Sequence, residues 1–281
     1  MAWRQQPPTV AARLGYVHQP LERPVSYMYD PPDSTPKDNF RHDFRDMQVA
    51  DARRLAGPTS VHQEGFELWH APSAVASFHD TQAVASTYYP ECEEIARAVT
   101  GGASAVVFDH LVRKREAGRP PLTFGRSGDG RRPGGVGQVH NDYSEASGQR
   151  RLGLVLRDAQ HASGVRRFCI VNIWRSTSTP ILDTPLAVCD ARTVAASDLV
   201  SGEIRYPDRV GEIYLFEHSD RHRWHYYPDM NRDEALVFKQ YDSQVSGVAR
   251  FTPHAAFDLP DIPAEAPLRE SIEVRCLVLF D

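Results

Sequence analysis

The chain has 281 residues, 41% of them apolar and 25% charged, with a formal net charge of −5 at pH 7. This balance suits a globular protein with a substantial core, and the acidic excess excludes a general nucleic-acid binder, which carries a basic one. No apolar run approaches a membrane span, and "MAWRQQPPTVAARLGY" holds no continuous apolar export signal.

Four cysteines, Cys92, Cys169, Cys189 and Cys276, lie too far apart for a zinc ribbon or a disulfide framework, so a reduced, cytoplasmic chain is expected. A single domain over 1–281 accounts for the pattern, read in three stretches. Residues 1–45 are rich in proline and polar groups and suit an extended arm laid over the body. Residues 46–136 read as a helical layer and a loop. Within them "PECEEIARAVTGG" (90–102) has proline at its start, acidic residues in the first turn, Ile95 and Val99 four apart, and paired glycines as a stop. From Arg113 to Arg132 the chain is loop-like, with seven Arg or Lys against Glu116 and Asp129. A Gly- and Pro-rich loop just before a chemically loaded segment is expected to act as a flap at a pocket mouth. Its "GRSGDGRRPGG" lacks the Gly-Lys-Ser/Thr ending of a phosphate loop.

From 137 to 281 the pattern changes to short runs dense in β-branched and aromatic residues. They are "GQVHNDY", "RRLGLVLRD", "RRFCIVNIWR", "PLAVCDA", "EIYLFEH", "RWHYYPD", "EALVFKQYD", "VARFTPHAAF" and "SIEVRCLVLF". Such spacing predicts a mostly β fold with flanking helices and a jelly-roll core. In the first run His140 and Asp142 lie two apart, and on a strand they share one face. An imidazole and a carboxylate side by side are two thirds of a metal site. His161 and His218 sit in polar surroundings. His222, His225 and His254 remain as third-ligand candidates, with His225 the competitor to His254. His254 is followed by Arg269-Glu270-Ser271 at the opening of the last strand.

A strand-borne His-x-Asp, a distal His and a final-strand Arg-x-Ser together resemble the double-stranded β-helix, iron(II)- and 2-oxoglutarate-dependent oxygenases. The blocks "VNIWRSTSTPILDTPLAVCDARTV", "HRWHYYPDMNRDEALVFKQYDS", "RFTPHAAF" and "RESIEVRCLVLF" resemble one family among them, that of the fungal gibberellin desaturase and the cephamycin 7α-hydroxylation protein. The resemblance runs from about residue 137 to the C-terminus. It implies that His140, Asp142 and His254 carry catalysis as iron ligands, with Fe(II), 2-oxoglutarate and O2 as the reacting set. Two imidazoles and one carboxylate on an octahedral ion leave three positions open, which such chemistry requires. Zinc hydrolysis uses similar donors but more often shows His-Glu-x-x-His spacing, which is absent.

Holding a dicarboxylate calls for a planar, permanently charged fork, and the resemblance gives that task to Arg269 with Ser271 two residues on. Arg275, six residues past Arg269, shares its strand face and is the runner-up, and Arg175 at the end of "CIVNIWR" is a further candidate for the co-substrate. Trp174 and Tyr226 read equally well as core aromatics, and Asp190 with Arg192 as an internal ion pair. The expected function is hydroxylation or desaturation of a small organic molecule in secondary metabolism, with neither nucleic acid nor membrane as partner. The competing classes are a cupin-like metal dioxygenase or isomerase without 2-oxoglutarate, and a non-catalytic ligand-binding jelly roll. Oligomeric state and substrate identity have no signature in the chain.

Overall fold

The computed structural model describes residues 7–116, 118, 122, 134–157 and 159–281. Its strands, in chain order, are β1 (Thr9–Val17), β2 (Val25–Tyr27), β3 (His42–Asp51), β4 (Phe66–His70), β5 (Ser104–Lys114), β6 (His140–Asn141) and β7 (Arg167–Ser176). They continue as β8 (Leu186–Cys189), β9 (Leu199–Arg205), β10 (Val210–Phe216), β11 (Trp224–Tyr226), β12 (Glu234–Asp242), β13 (His254–Ala256) and β14 (Glu270–Phe280). Nine form a curled sheet in the order β1-β3-β11-β8-β13-β6-β10-β9-β2, and five form a second in the order β4-β12-β7-β14-β5. Two such sheets, mostly antiparallel and facing one another, make the double-stranded β-helix, or jelly roll.

The five-stranded sheet shows why period-two alternation matters here. On one face Val171, Ile173, Val237, Val274 and Cys276 pack under a helix, and on the other Asn172, Trp174, Glu273 and Arg275 look toward the nine-stranded sheet. The covering helix is α2 (Tyr89–Thr100), entered from the short α1 (Thr81–Ala83) through a π turn at Val84–Tyr88. Asp80 caps α1 by accepting from the amides of Gln82 and Ala83, and Gly101, at φ 70°, ends α2 in the left-handed region. Cys92, Ile95, Ala96 and Val99 form its buried stripe, and each fully buried Ile or Val contributes roughly 1.5–3 kcal/mol.

Four stretches depart from the sequence reading. "RRLGLVLRD" is not a strand but the end of α3 (Glu145–Leu156), which the short α4 (Ala159–Gly164) follows. Ser144 decides the matter as a reciprocal cap: its hydroxyl accepts from the Ser147 amide at 3.1 Å, and its own amide donates to the Ser147 hydroxyl at 2.9 Å. Leu152, Val155 and Leu156 then fall at helical spacing against Phe168, Ile170 and Leu277. Gly148 permits this approach, because a Cβ there would meet the Tyr241 ring at 2.5 Å.

The region 46–136 is likewise more than a helical layer and a loop, since it supplies β3, β4 and β5 beside α2. The N-terminal arm is a working strand: Leu14 and Tyr16 are fully buried, and β1 pairs along its whole length with β3. Gly15 then closes a ring of strands, donating to the Gly137 carbonyl at 3.0 Å and accepting from the Val139 amide at 2.7 Å. The ring β1-β3-β11-β8-β13-β6 buries Leu14, Val49, Val139, Cys189, Trp224 and Ala255 together. Finally, Arg113 and Lys114 belong to β5, and the expected flap beyond them (119–121 and 123–132) lies outside the described residues.

Candidate metal centre

β6 and β13 are adjacent antiparallel strands, and their register sets His140 directly opposite His254. The two rings lie 4.3 Å apart, centre to centre. Each imidazole is pinned by the carbonyl two residues before it: Nδ1 of His140 donates to Gln138 O at 2.8 Å, and Nδ1 of His254 donates to Thr252 O at 3.3 Å. A carbonyl only accepts, so Nδ1 carries a proton, and Nε2 is the ring nitrogen through which a neutral imidazole would ligate a metal. His140 Nε2 stands 3.5 Å from Asp142 Oδ1, and one donor atom from each of His140, Asp142 and His254 falls within 4.8 Å of the others.

Asp142 reaches this position by a different route from the strand alternation expected of it. β6 ends at Asn141, whose side chain takes up backbone groups that a longer ladder would have used. Its Nδ2 donates to the Tyr143 and Gln240 carbonyls at 2.7 Å each, and its Oδ1 accepts from the Thr252 amide at 3.2 Å. Asp142 therefore sits on a bend past the strand, with its amide donating to Gln240 Oε1 at 2.8 Å. Its Oδ2 accepts from Asn172 Nδ2 at 2.9 Å and from Arg275 Nε at 2.8 Å, which turns Oδ1 toward the histidines. Burial works to raise this carboxyl, but the Arg275 charge opposes it, and Asp142 is held well below the usual range. Burial, with His140 alongside, depresses His254 to about 3. Two imidazoles and an anionic carboxylate converge here, a donor set that fits a divalent cation.

The four arginine and serine candidates fall in different places. Arg269 is buried, with its guanidinium 5.1 Å above the Trp174 ring. Its Nε donates to Ser271 Oγ at 3.2 Å and its Nη1 to the Thr184 carbonyl at 3.1 Å. It makes no ion pair among the described residues, and burial lowers it to about 10. Arg275 is taken up by carboxylates: Asp142, Glu273 at 2.7 Å and Asp109 at 3.0 Å. Its place is behind Asp142, with no cationic donor left unpaired toward the cluster among the described residues. Arg175 is on the far face of β7, bonded to the Ala71 and Arg232 carbonyls at 2.7 and 3.1 Å and 4.9 Å above the Tyr88 ring. Alternation along the strand turns it away from Asn172 and Trp174, so it does not join the centre.

His225 shares the sheet face of His254 but is separated from it by Val188 of β8, and it stays outside the cluster. His222 is engaged elsewhere, between Tyr16 and Asp198 at 3.2 Å each. Asp190 and Arg192 form an ion pair at 2.7 Å. Sequence reasoning missed Asn141, Asn172, Gln240 and Glu273. Asn172 had a signal, as the lone amide inside the apolar run "FCIVNIW". Asn141 and Gln240 take their meaning from contacts about a hundred positions apart, and Glu273 from its bond to Arg275 on the same strand.

A family model described as an oxidoreductase/YMDC permease-like domain matches residues 14–279. Among the described residues no helix is long and apolar enough to cross a membrane. The chain is 28% identical over 297 residues to hydroxylase/desaturase efuI of Hormonema carpetanum, covering 98% of this chain and 97% of that protein. It is 30% identical over 261 residues to hydroxylase/desaturase CTB9 of Cercospora beticola, covering 86% and 78%. A solved structure of the iron and alpha-ketoglutarate-dependent endoperoxidase NvfI superposes with a TM-score of 0.85 at 26% identity, covering 97% of this chain and 98% of that one.

Proposed function

The chain belongs to the oxidoreductase family of iron(II)- and 2-oxoglutarate-dependent hydroxylases and desaturases, and on that premise we propose that His140, Asp142 and His254 hold its iron and Arg269 its co-substrate. The observation that carries this reading is the convergence of two tautomer-fixed imidazoles and one orientated carboxylate within 4.8 Å. When bound, iron, 2-oxoglutarate and O2 would supply the oxidising power: the oxo-acid loses CO2 and takes up one oxygen atom of O2 to become succinate, and the other atom ends in the hydroxyl group of a small organic product, or in water where the outcome is desaturation. The protein's own residues set the stage for that exchange. Arg275 keeps Asp142 ionised and, with Asn172, aims it, the Gln138 and Thr252 carbonyls hold a proton on each Nδ1 so that Nε2 would be the ligating atom, and three protein donors would leave room on the metal for other ligands.

Arg269 supports the second half of the proposal. A buried guanidinium with no carboxylate partner among the described residues needs an anion from outside the chain. A cupin-like enzyme without an oxo-acid, or a non-catalytic jelly roll, has no use for it. The four cysteines, all buried and unbridged, support a cytoplasmic setting.

Anaerobic titration of the apo-protein with Fe(II) tests the proposal, followed by aerobic assay of succinate from 2-oxoglutarate. One iron per chain, lost in His140→Ala, Asp142→Ala and His254→Ala with the fold retained, is the expected result. Undiminished iron uptake in His254→Ala, or no succinate from the iron-loaded wild type, overturns it.

A further inference from the structure

Arg269 is not alone. Arg113 on β5 stands directly opposite Ser271 on β14, so its side chain leaves the sheet on the face that carries Ser271, Glu273 and Arg275. Ser271 in turn accepts from Arg269 Nε, which brings both guanidiniums to one hydroxyl's neighbourhood. Their common floor is a glycine pair. Arg113 Nη1 donates to the Gly134 carbonyl at 3.0 Å, and a Cβ on the next residue, Gly135, would stand 3.4 Å from Arg269 Nη1. Immediately beyond, the Arg115 amide bonds the Arg269 carbonyl at 2.8 Å and holds the two strands in register.

Neighbouring cations are neutralised within the fold: Arg115 by Asp258 at 2.9 Å, and Arg275 by three carboxylates. Arg113 and Arg269 make no ion pair within 4 Å among the described residues. Two carboxylates lie near but are engaged otherwise. Asp183 accepts from the Arg269 backbone amide at 3.3 Å, and Glu273 is bonded to Arg275. After burial, the Arg113 charge is the largest influence lowering Arg269, and burial lowers Arg113 as well. Two like charges on one face, unneutralised among the described residues, make a binding site for an anion with a forked acceptor.

We propose that Arg113 is the second guanidinium of the co-substrate site, closing with Arg269 on the distal carboxylate of 2-oxoglutarate and selecting dicarboxylic over monocarboxylic oxo-acids. This deepens the assignment of Arg269 and rests on it.

Calorimetric titration of the anaerobic, Fe(II)-loaded protein tests the proposal, with 2-oxoglutarate and with 2-oxobutanoate, which lacks the distal carboxylate. Arg113→Gln should weaken 2-oxoglutarate about tenfold and leave 2-oxobutanoate and iron uptake unchanged, with Arg113→Lys between wild type and Gln. Unchanged affinity for 2-oxoglutarate overturns the proposal. Equal weakening of both oxo-acids also overturns it, because the effect then bypasses the distal carboxylate. Arg269→Gln, run in parallel, separates the two readings. If it weakens 2-oxoglutarate while Arg113→Gln does not, Arg113 alone is misassigned; if neither does, the anchor itself is.

Discussion

Asn172 and Arg275 stand opposite each other on β7 and β14 and donate to the same oxygen of Asp142. The pair fixes the carboxylate in two respects. Asn172 supplies direction without charge, whereas Arg275 supplies direction and holds Asp142 ionised.

The two should therefore separate on mutation. Asn172→Leu should cost one to two orders of magnitude in iron affinity, the usual effect of removing a group that orients a ligand. Arg275→Met should do at least as much and add a pH dependence. It strips the counter-ion from Asp142, whose pKa then rises, so iron uptake should fail at a higher pH than in wild type. Iron titrations of both variants between about pH 5 and pH 8 measure this. Identical pH profiles for the two would show that Arg275 works by geometry alone.

A second buried pair bears on stability instead of chemistry. Lys239 and Asp242 are both fully buried, 2.7 Å apart, and Asp242 also accepts from Arg167 at 3.0 and 3.2 Å. Burial works to raise Asp242, but Arg167 and Lys239 outweigh it and depress the carboxyl. A depressed carboxyl contributes stability that is present above its unfolded value of about 3.9 and is lost as pH falls through the lower folded one. Asp242→Asn should cost about 3–5 kcal/mol at neutral pH by leaving Lys239 unpaired, and should flatten the stability profile below about pH 4. Adding Lys239→Met should recover much of the loss. Denaturant unfolding of the single and double variants at several pH values checks all three outcomes.

The cluster of His140, Asp142 and His254 was legible because its residue types are rare in such spacing, and the β14 face because alternation sets Arg269, Ser271 and Arg275 together. Alternation could not choose between the two arginines. Their difference lies in what the adjacent strands and bends set beside each: Asn172, Asp109 and Asp142 at Arg275, and Trp174 with Ser271 at Arg269. Helix α3 was misread because Leu and Val are counted alike by strand and helix patterns, while the deciding feature is the local Ser144–Ser147 cap. The role of β1 was hidden for another reason. Its hydrogen-bond partner, the Gly137–Val139 segment, lies over a hundred residues downstream, and nothing in a proline-rich arm announces such a partner.

That closure of the ring predicts a long-range effect on the metal. Gly15 bonds on both sides of Gln138, the residue whose carbonyl fixes the His140 ring. A Cβ at Gly15 would come within 3.2 Å of Gln138 Oε1 and 3.3 Å of the Gly137 carbonyl. Gly15→Val should push that segment and weaken iron binding without touching a ligand, and removal of residues 1–17 should abolish it. Iron titration with circular dichroism on the same samples reads both. Wild-type affinity in a folded truncation would leave β1 with no part in the centre.

The proposed co-substrate anchor gives the sharpest separation from the proposed metal ligands. Arg269 approaches the site from the start of β14, braced by Ser271, the Thr184 carbonyl and the face of Trp174, partners separate from His140, Asp142 and His254. Arg269→Ala should therefore leave iron uptake intact and raise the KM for 2-oxoglutarate in substrate-independent succinate formation. Charge-assisted hydrogen bonds contribute roughly 1.5–3 kcal/mol each, and about 1.4 kcal/mol is tenfold, so the rise should be one to two orders of magnitude. Arg269→Lys keeps the charge but loses both the fork and the flat stack on Trp174, so it should fall between the two. Arg275→Met should show the opposite split, with poor iron uptake and, at saturating iron, a nearly normal KM for 2-oxoglutarate. An exchange of these two phenotypes would move the anchor to Arg275, because a group that neutralises Asp142 and a group that holds a distant carboxylate cannot trade readouts.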